Sequence, residues 1–383
     1  SSRPVDTCVS VIAENVIVVH APGYNITSRG KLRLAHQQRT GLLQRPAVAI
    51  STTAMSASLA QPSPGSAAFT NPLARPIAVS NWLLSVAGLI FVMVIVGGIT
   101  RLTESGLSIT EWRPITGTLP PLSDAAWQRE FDLYRQIPEY QQINRGMSLD
   151  EFKYIYFWEY IHRLLGRIIG LAYALPLLWF AVKRAIPAGY GKRLLFLLVL
   201  GGLQGAIGWW MVASGLSVRT DVSHVRLAVH LLMALVIFGL IVWTALDLRT
   251  ADARKQRVPT VALWAFAVLF LQMMFGAYVA GLNAGYAFSS WPLMGDSLYP
   301  AGAPWLEPWL RNFIDNPITV QFVHRWLAFG VLAVAIVLAI KVKRSGGRLE
   351  SVLLHAAVGI QILLGIATLM TGVDIVVAVA HQG

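Results

Sequence analysis

Seven stretches of this chain are long and apolar enough to cross a lipid bilayer, and that pattern leaves one class of fold open. They run Ile77–Thr100, Phe152–Val182, Leu194–Val218, Val222–Leu246, Thr260–Ala280, Ile318–Ile340 and Ser351–Gly372. A helical span needs about 20 apolar residues. Hydrophobic residues make up 55% of the 383 and charged ones only 13%, roughly half the charge of an ordinary soluble domain. A soluble fold of this length could not hide that excess, so the chain reads as an all-α polytopic membrane protein set in a lipid bilayer.

An eighth apolar segment opens at Ile375 and reaches Gly383 after nine residues, too few to cross. Eight transmembrane helices are therefore expected, the eighth truncated, with the rest of a C-terminal half-helix missing. Residues 1–76 read differently. From Asn15 to Thr103 there is no acidic residue, while Arg29, Lys31, Arg33, Arg39, Arg45 and Arg75 stand among Ser, Thr, Ala and Pro. Such a leader has the composition of a transit peptide. It reads equally as a disordered N-terminal tail, or as sequence upstream of a start at Met55.

The net charge of +12 would suit a nucleic-acid binder, but the basic residues sit in short clusters between spans. Lys183, Arg184, Lys192 and Arg193 follow the second span, Arg249, Arg254, Lys255 and Arg257 the fourth, and Lys341, Lys343, Arg344 and Arg348 the sixth. Basic loops mark the cytoplasmic or matrix side, so no nucleic-acid partner is expected. The loop Leu102–Glu151 carries eight acids against four arginines and is expected on the outer side. The single cysteine, Cys8, excludes an internal disulfide and any cysteine-based metal site.

The chain also repeats itself. Glu159-Tyr-Ile-His162-Arg163 resembles Gln321-Phe-Val-His324-Arg325. Gln204-Gly-Ala-Ile-Gly208 matches Gln361-Ile-Leu-Leu-Gly365, and Leu227-Ala-Val-His230 matches Ala378-Val-Ala-His381. The loop holding Gly97, Gly98, Trp112 and Pro114 echoes the one holding Ala280, Gly281, Trp291 and Pro292. Spans one to four and five to eight thus form parallel repeats, a known membrane plan. Two pseudosymmetric four-helix bundles are expected, over residues 77–250 and 258–383.

Four of the eight histidines fall at matched positions: His162, His230, His324 and His381. Each lies within about ten residues of its span's outer end, hence about 10–15 Å deep at 1.5 Å per residue. Buried ionisable groups in a membrane are costly and tend to be functional. Two imidazoles facing each other across a bundle suit heme iron. Zinc fits less well, since it takes three or four protein ligands and each half offers two histidines. The other histidines, His20, His36, His224 and His355, lack repeat partners and read as structural or as part of the leader. Glu159 breaks the symmetry, because its partner is Gln321. Three residues before His162, it shares that helix face and reads as a proton-exchanging group or as an ion-pair partner of Arg163, Arg167 or Arg226. Arg163 and Arg325 read either as partners for heme propionates or as residues snorkelling to the interface.

The segments Gly97–Trp112, Ile143–Phe152, Trp158-Glu-Tyr-Ile-His-Arg163, Trp291-Pro-Leu-Met294 and Asn316–Arg325 closely resemble the heme A synthase family over about residues 80–383. The long loop without a cysteine pair resembles the alphaproteobacterial and mitochondrial branch. The resemblance implies an oxidoreductase that converts a methyl substituent of heme O to the formyl group of heme A by successive hydroxylation, for cytochrome oxidase assembly. It implies that His162 and His230 hold the substrate heme iron in the N-terminal half, with Glu159 handling protons or stabilising charge. It further implies that His324 and His381 ligate a heme b cofactor, which the short last helix would hold poorly. The implied partners are a heme O synthase as heme donor and a membrane electron acceptor, with oligomeric state open to a homo-oligomer. The expected location is the bacterial cytoplasmic membrane, with the mitochondrial inner membrane as alternative. Two other readings fit the four histidines: a di-heme b-type electron-transfer cytochrome, and a heme carrier or chaperone.

Overall fold

A computed structural model of the chain describes residues 71–250 and 258–383; the leader reading for residues 1–70 lies outside the described residues. Among them are ten α-helices and no β-strand: α1 (Pro76–Leu102), α2 (Asp124–Tyr134), α3 (Pro138–Gln142), α4 (Leu149–Val182), α5 (Gly191–Val212), α6 (His224–Asp247), α7 (Thr260–Gly281), α8 (Pro317–Arg344), α9 (Arg348–Met370) and α10 (Ile375–Gln382). Seven of them, α1 and α4 to α9, are long and apolar enough to cross a membrane. Large apolar side chains such as Leu178, Trp179, Val199, Phe266 and Leu363 point outward, as they should where the surrounding medium is lipid. The chain is a multi-pass, all-α membrane protein.

Helix starts follow local chemistry. Pro76 and Pro317 occupy first turns, where a missing amide hydrogen costs nothing. Asn316 caps α8 and Asp374 caps α10, each accepting from two backbone amides of the first turn, which satisfies donors left without helical partners. The expected third span, Leu194–Val218, is too long: α5 ends at Val212. The chain turns there because the Ser214 hydroxyl accepts the Ser223 amide at 2.7 Å, closing a loop that delivers α6.

The second expected span is too short at its N-terminal end. A capping box starts α4 at Leu149, with Ser148 Oγ accepting from the Glu151 amide at 3.3 Å and Glu151 Oε2 accepting from the Ser148 amide at 2.7 Å. With 34 residues and a rise of 1.5 Å per residue, α4 is about 50 Å long, well beyond an apolar core of about 30 Å. Its projecting turns carry a folded cap. Phe131 and Tyr134 of α2 are buried against Phe152, Ile155 and Tyr156 of α4, with the Phe131 and Phe152 rings stacked at 4.9 Å.

Helices α1, α4, α5 and α6 are neighbours in a ring, while α7, α8, α9 and α10 pack in sequence; α6 packs on α7 and α1 on α10. At the outer end, Arg101 of α1 donates to the Ala280 carbonyl at 2.9 Å and to Asn283 Oδ1 at 2.7 Å. His224 of α6 lies 3.2 Å from Asp315 Oδ1, and a Cβ on Gly281 would stand 2.6 Å from the His224 Cβ. His224 thus seals a helix contact, in keeping with its structural reading. The apolar core of α1, α4, α5 and α6 gathers toward the basic side, around Leu83, Val86, Leu177, Leu194 and Ile241.

Glu139 of α3 is 5% exposed, and its carboxyl is pushed from 4.5 up to about 8, first by burial and then by the charges of Glu159 and Asp221. The folded cap therefore keeps a proton that the unfolded chain releases. Cap stability is full below about 4.5, falls by up to about 1.4 kcal/mol per pH unit, and levels off above about 8. Amide hydrogen exchange (corrected for intrinsic rate) in α2 and α3 should quicken between pH 5 and 8, and Glu139→Gln should flatten that dependence. A pH-independent wild-type cap would contradict the assignment.

Candidate functional site

The four matched histidines come from four helices: His162 from α4, His230 from α6, His324 from α8 and His381 from α10. Each ring rests on a glycine of the neighbouring helix. A Cβ on Gly97 of α1 would stand 3.1 Å from His162 Cε1. On Gly208 of α5 it would stand 2.9 Å from His230 Cε1, on Gly276 of α7 2.9 Å from His324 Cε1, and on Gly365 of α9 2.9 Å from His381 Cε1. Only glycine admits an imidazole this close to a helix axis. The repeat register is thereby corrected: Gly97 corresponds to Gly276, not to the Ala280–Gly281 pair.

Glutamines secure two of the rings. Gln204, one turn before Gly208, donates to the His230 carbonyl at 2.9 Å and stands 3.1 Å from His230 Nδ1. Gln272, one turn before Gly276, does the same for His324 at 3.0 and 3.2 Å. Sequence reasoning had aligned Gln204 with Gln361 but given neither a task, and had passed over Gln272. The findable signal was Gln-x-x-x-Gly, which occurs in α5, α7 and α9.

The His324 and His381 ring centroids lie 6.3 Å apart with planes at 76°. A metal about 2 Å from one nitrogen of each ring would set the centroids about 6 Å apart. The eight-residue α10 is therefore enough to bring His381 to His324. All four imidazoles remain partly accessible. Around His162 and His230, α1 has no fully buried residue between Ile90 and Gly98, α4 none between Glu159 and Tyr173, and α5 none between Leu197 and Val212. Among the described residues no group of three or more His, Cys, Asp and Glu could hold a metal ion. Paired nitrogen donors on glycine cradles suit a planar group with an axially ligated metal, and the His324–His381 spacing fits a heme.

Glu159 is 3% exposed and fully engaged. Its Oε2 accepts from Ser108 Oγ and the Ile109 amide, both at 2.7 Å, and its Oε1 accepts from Arg163 Nη2 at 2.6 Å and Nε at 3.0 Å. Arg163 also donates to the Ile109 and Glu111 carbonyls at 2.7 and 3.1 Å. In the other half Arg325 donates to the Phe288 and Ser290 carbonyls at 2.7 and 2.8 Å, and Gln321 donates to Phe288 at 3.0 Å. The two arginines are loop clamps. Most of their donors go to these carbonyls and to Glu159, while the Arg325 Nε is buried without a partner. Glu159 pairs with Arg163; Arg167 instead donates to the Arg113 and Pro114 carbonyls at 3.0 and 2.8 Å. His355 only returns to its own helix, 2.7 Å from the Ser351 carbonyl.

The fold and this site define a polytopic helical membrane protein with paired intramembrane histidines in each of two repeated halves. A family model described as cytochrome oxidase assembly protein matches residues 80–383. The chain is 56% identical over 317 residues to the heme A synthase of Rhizorhabdus wittichii, covering 81% of this chain and 91% of that protein. It is 53% identical over 312 residues to the heme A synthase of Sphingopyxis alaskensis, covering 80% and 88%. It is 50% identical over 320 residues to that of Novosphingobium aromaticivorans, covering 81% and 91%. The chain belongs to this family of cytochrome oxidase assembly proteins.

The cradles make a direct prediction. Gly276→Ala should push the His324 ring aside and remove most of the low-spin heme absorbance of the C-terminal half. Gly201→Ala, where a Cβ meets nothing within 4 Å, should leave the spectrum unchanged. Equal spectra for both variants would mean that the ring contact does not matter.

Proposed function

We propose that this protein is a heme A synthase, oxidising a methyl substituent of heme O to the formyl group of heme A through successive hydroxylation. The observation that carries this reading is a difference between two otherwise matched halves. Both present a histidine pair on glycine cradles, but only the N-terminal half sets a carboxylate, Glu159, one turn from its histidine, where the other half has Gln321. A pure electron carrier needs no such difference, and a heme carrier needs no second heme. The names of the relatives point the same way.

In this reading residues 77–250 form the substrate half and residues 258–383 the cofactor half. His162 and His230 hold the substrate heme iron. His324 and His381 hold heme b, which supplies a route for electrons on their way to a membrane acceptor. Of the two roles expected for Glu159, the donor set favours charge stabilisation. A carboxylate accepting four hydrogen bonds, two of them from a guanidinium, is held in place as an ion-pair partner. It presents a fixed negative charge to positive charge developing at the substituent being oxidised, and low polarity strengthens that interaction. Arg163 anchors Ser108–Glu111 and so keeps this charge in place. Substrate delivery falls to a heme O synthase in the same membrane, and copies of this chain are available to associate as a homo-oligomer. The named relatives are bacterial, which favours a bacterial cytoplasmic membrane.

The test is extraction and chromatography of heme from cells that express the full chain together with a heme O synthase. Heme A or its hydroxylated precursor should appear only with the intact protein. Heme B and heme O alone, beside a good bis-histidine spectrum, would favour the electron carrier. Glu159→Gln should keep the heme b spectrum and lower heme A at least tenfold, about 1.4 kcal/mol or more in the barrier. Gln321 shows that a glutamine is accommodated at this register. A normal heme A yield from the variant would remove Glu159 from the mechanism.

A further inference from the structure

The glutamine pattern has one gap. Three of the four imidazoles have a glutamine one turn before their cradle glycine: Gln204 before Gly208, Gln272 before Gly276 and Gln361 before Gly365. In α1 the same position holds Met93, four residues before Gly97. Gln204 and Gln272 bond to their histidines as described. Gln361 holds the matching position in α9, and its Oε1 and the His381 Nδ1 are both buried without partners. Met93 has no amide. Its methyl group instead packs against α4 one turn below His162, 3.5 Å from where a Gly166 Cβ would stand. The His162 Nδ1 is buried and unpartnered.

An imidazole bound to a metal through one nitrogen carries its proton on the other, and a hydrogen bond from that proton fixes the ring plane and strengthens the ligand. The Oε1 atoms of Gln204 and Gln272 are also buried without partners. With the amide nitrogen bonded to the histidine's own carbonyl, Gln204 and Gln272 stand 3.1 and 3.2 Å from Nδ1 and fix where each ring sits; which atom of that contact carries the proton depends on the tautomer. His230 and His324 therefore each have a bonded positioning residue, His381 has a glutamine at the matching position, and His162 has a methionine there.

We infer that His162 is the releasable axial ligand of the N-terminal half, and that Met93 makes it so by standing where the other three histidines have a glutamine. This rests on the proposed function, in which that half takes a heme that enters as substrate and leaves as product. A ligand that lets go from one face gives the substrate a way in and out while His230 retains it. The C-terminal half, with a glutamine for each histidine, is built to keep its heme.

Carbon monoxide tests this, because it binds only ferrous heme with an open coordination position. The purified full-length protein, reduced and carrying both hemes, should bind carbon monoxide at one heme and not at the other. Met93→Gln should slow that binding at least tenfold and raise the low-spin fraction, whereas Met93→Leu should behave as wild type. Gln272→Met should make the second heme reactive, and Gln204→Met should speed the reaction of the first. The low-spin signal from His324 and His381 reports folding in the Met93 and Gln204 variants; if Met93→Gln fails to load heme, the two glutamine variants carry the test. Identical rates for Met93→Gln and Met93→Leu, or glutamine variants with wild-type rates, would overturn the inference. Because the readout is ligand binding, it separates from the functional reading. Carbon monoxide behaving as expected without any heme A in extracts would sink the synthase and leave the releasable ligand standing.

Discussion

Everything distinctive about this molecule depends on imidazoles resting through Cε1 on glycine backbones of the neighbouring helix. Helix pairs that cross at Gly97, Gly208, Gly276 and Gly365 leave a recess only as deep as a missing Cβ, and each recess holds one histidine ring. In a membrane the usual reason for a small residue at a crossing is to let two backbones approach. Here the glycine serves a polar ring on the opposite helix. That ring is held clear of the helix face, toward the level where α1, α4 and α5 lack fully buried residues.

How much of this was legible in the sequence differs from feature to feature. The seven spans were legible because a bilayer imposes a length and a polarity that few other forces produce. Their ends were not, since those depend on hydrogen bonds of single side chains. The capping box at Ser148 lengthened α4, and the Ser214–Ser223 contact shortened the third helix. The four histidines could be picked out because the chain repeats. Their supports could not, because Gln-x-x-x-Gly reads as ordinary helix until two helices are brought face to face. The resemblance to heme A synthases pointed to the family whose members the chain matches, while the loop carbonyls gripped by Arg163 and Arg325 were beyond any periodicity to reveal.

The two halves resemble each other in architecture and diverge in chemistry. Arg163 and Arg325 grip equivalent loops through equivalent carbonyls, Ile109 and Glu111 in one case and Phe288 and Ser290 in the other. On that common frame, two exchanges set the halves apart: Glu159 for Gln321, and Met93 for Gln272. Both alter what a histidine or its immediate surroundings can do and neither alters the fold. Duplicated proteins can acquire a division of labour in this way, because the scaffold tolerates polar swaps at positions that do not carry the packing.

The length of α4 has a mechanical consequence. One uninterrupted helix carries the aromatic residues that seat the outer cap, then Glu159, then His162. The same helix side chains, Glu159 and Arg163, grip the strand of backbone that leads into the cap. Cap and histidine are therefore carried by one continuous helix. A displacement of the cap is thereby a displacement of the backbone that carries Glu159 and His162, with no loop between them to absorb it.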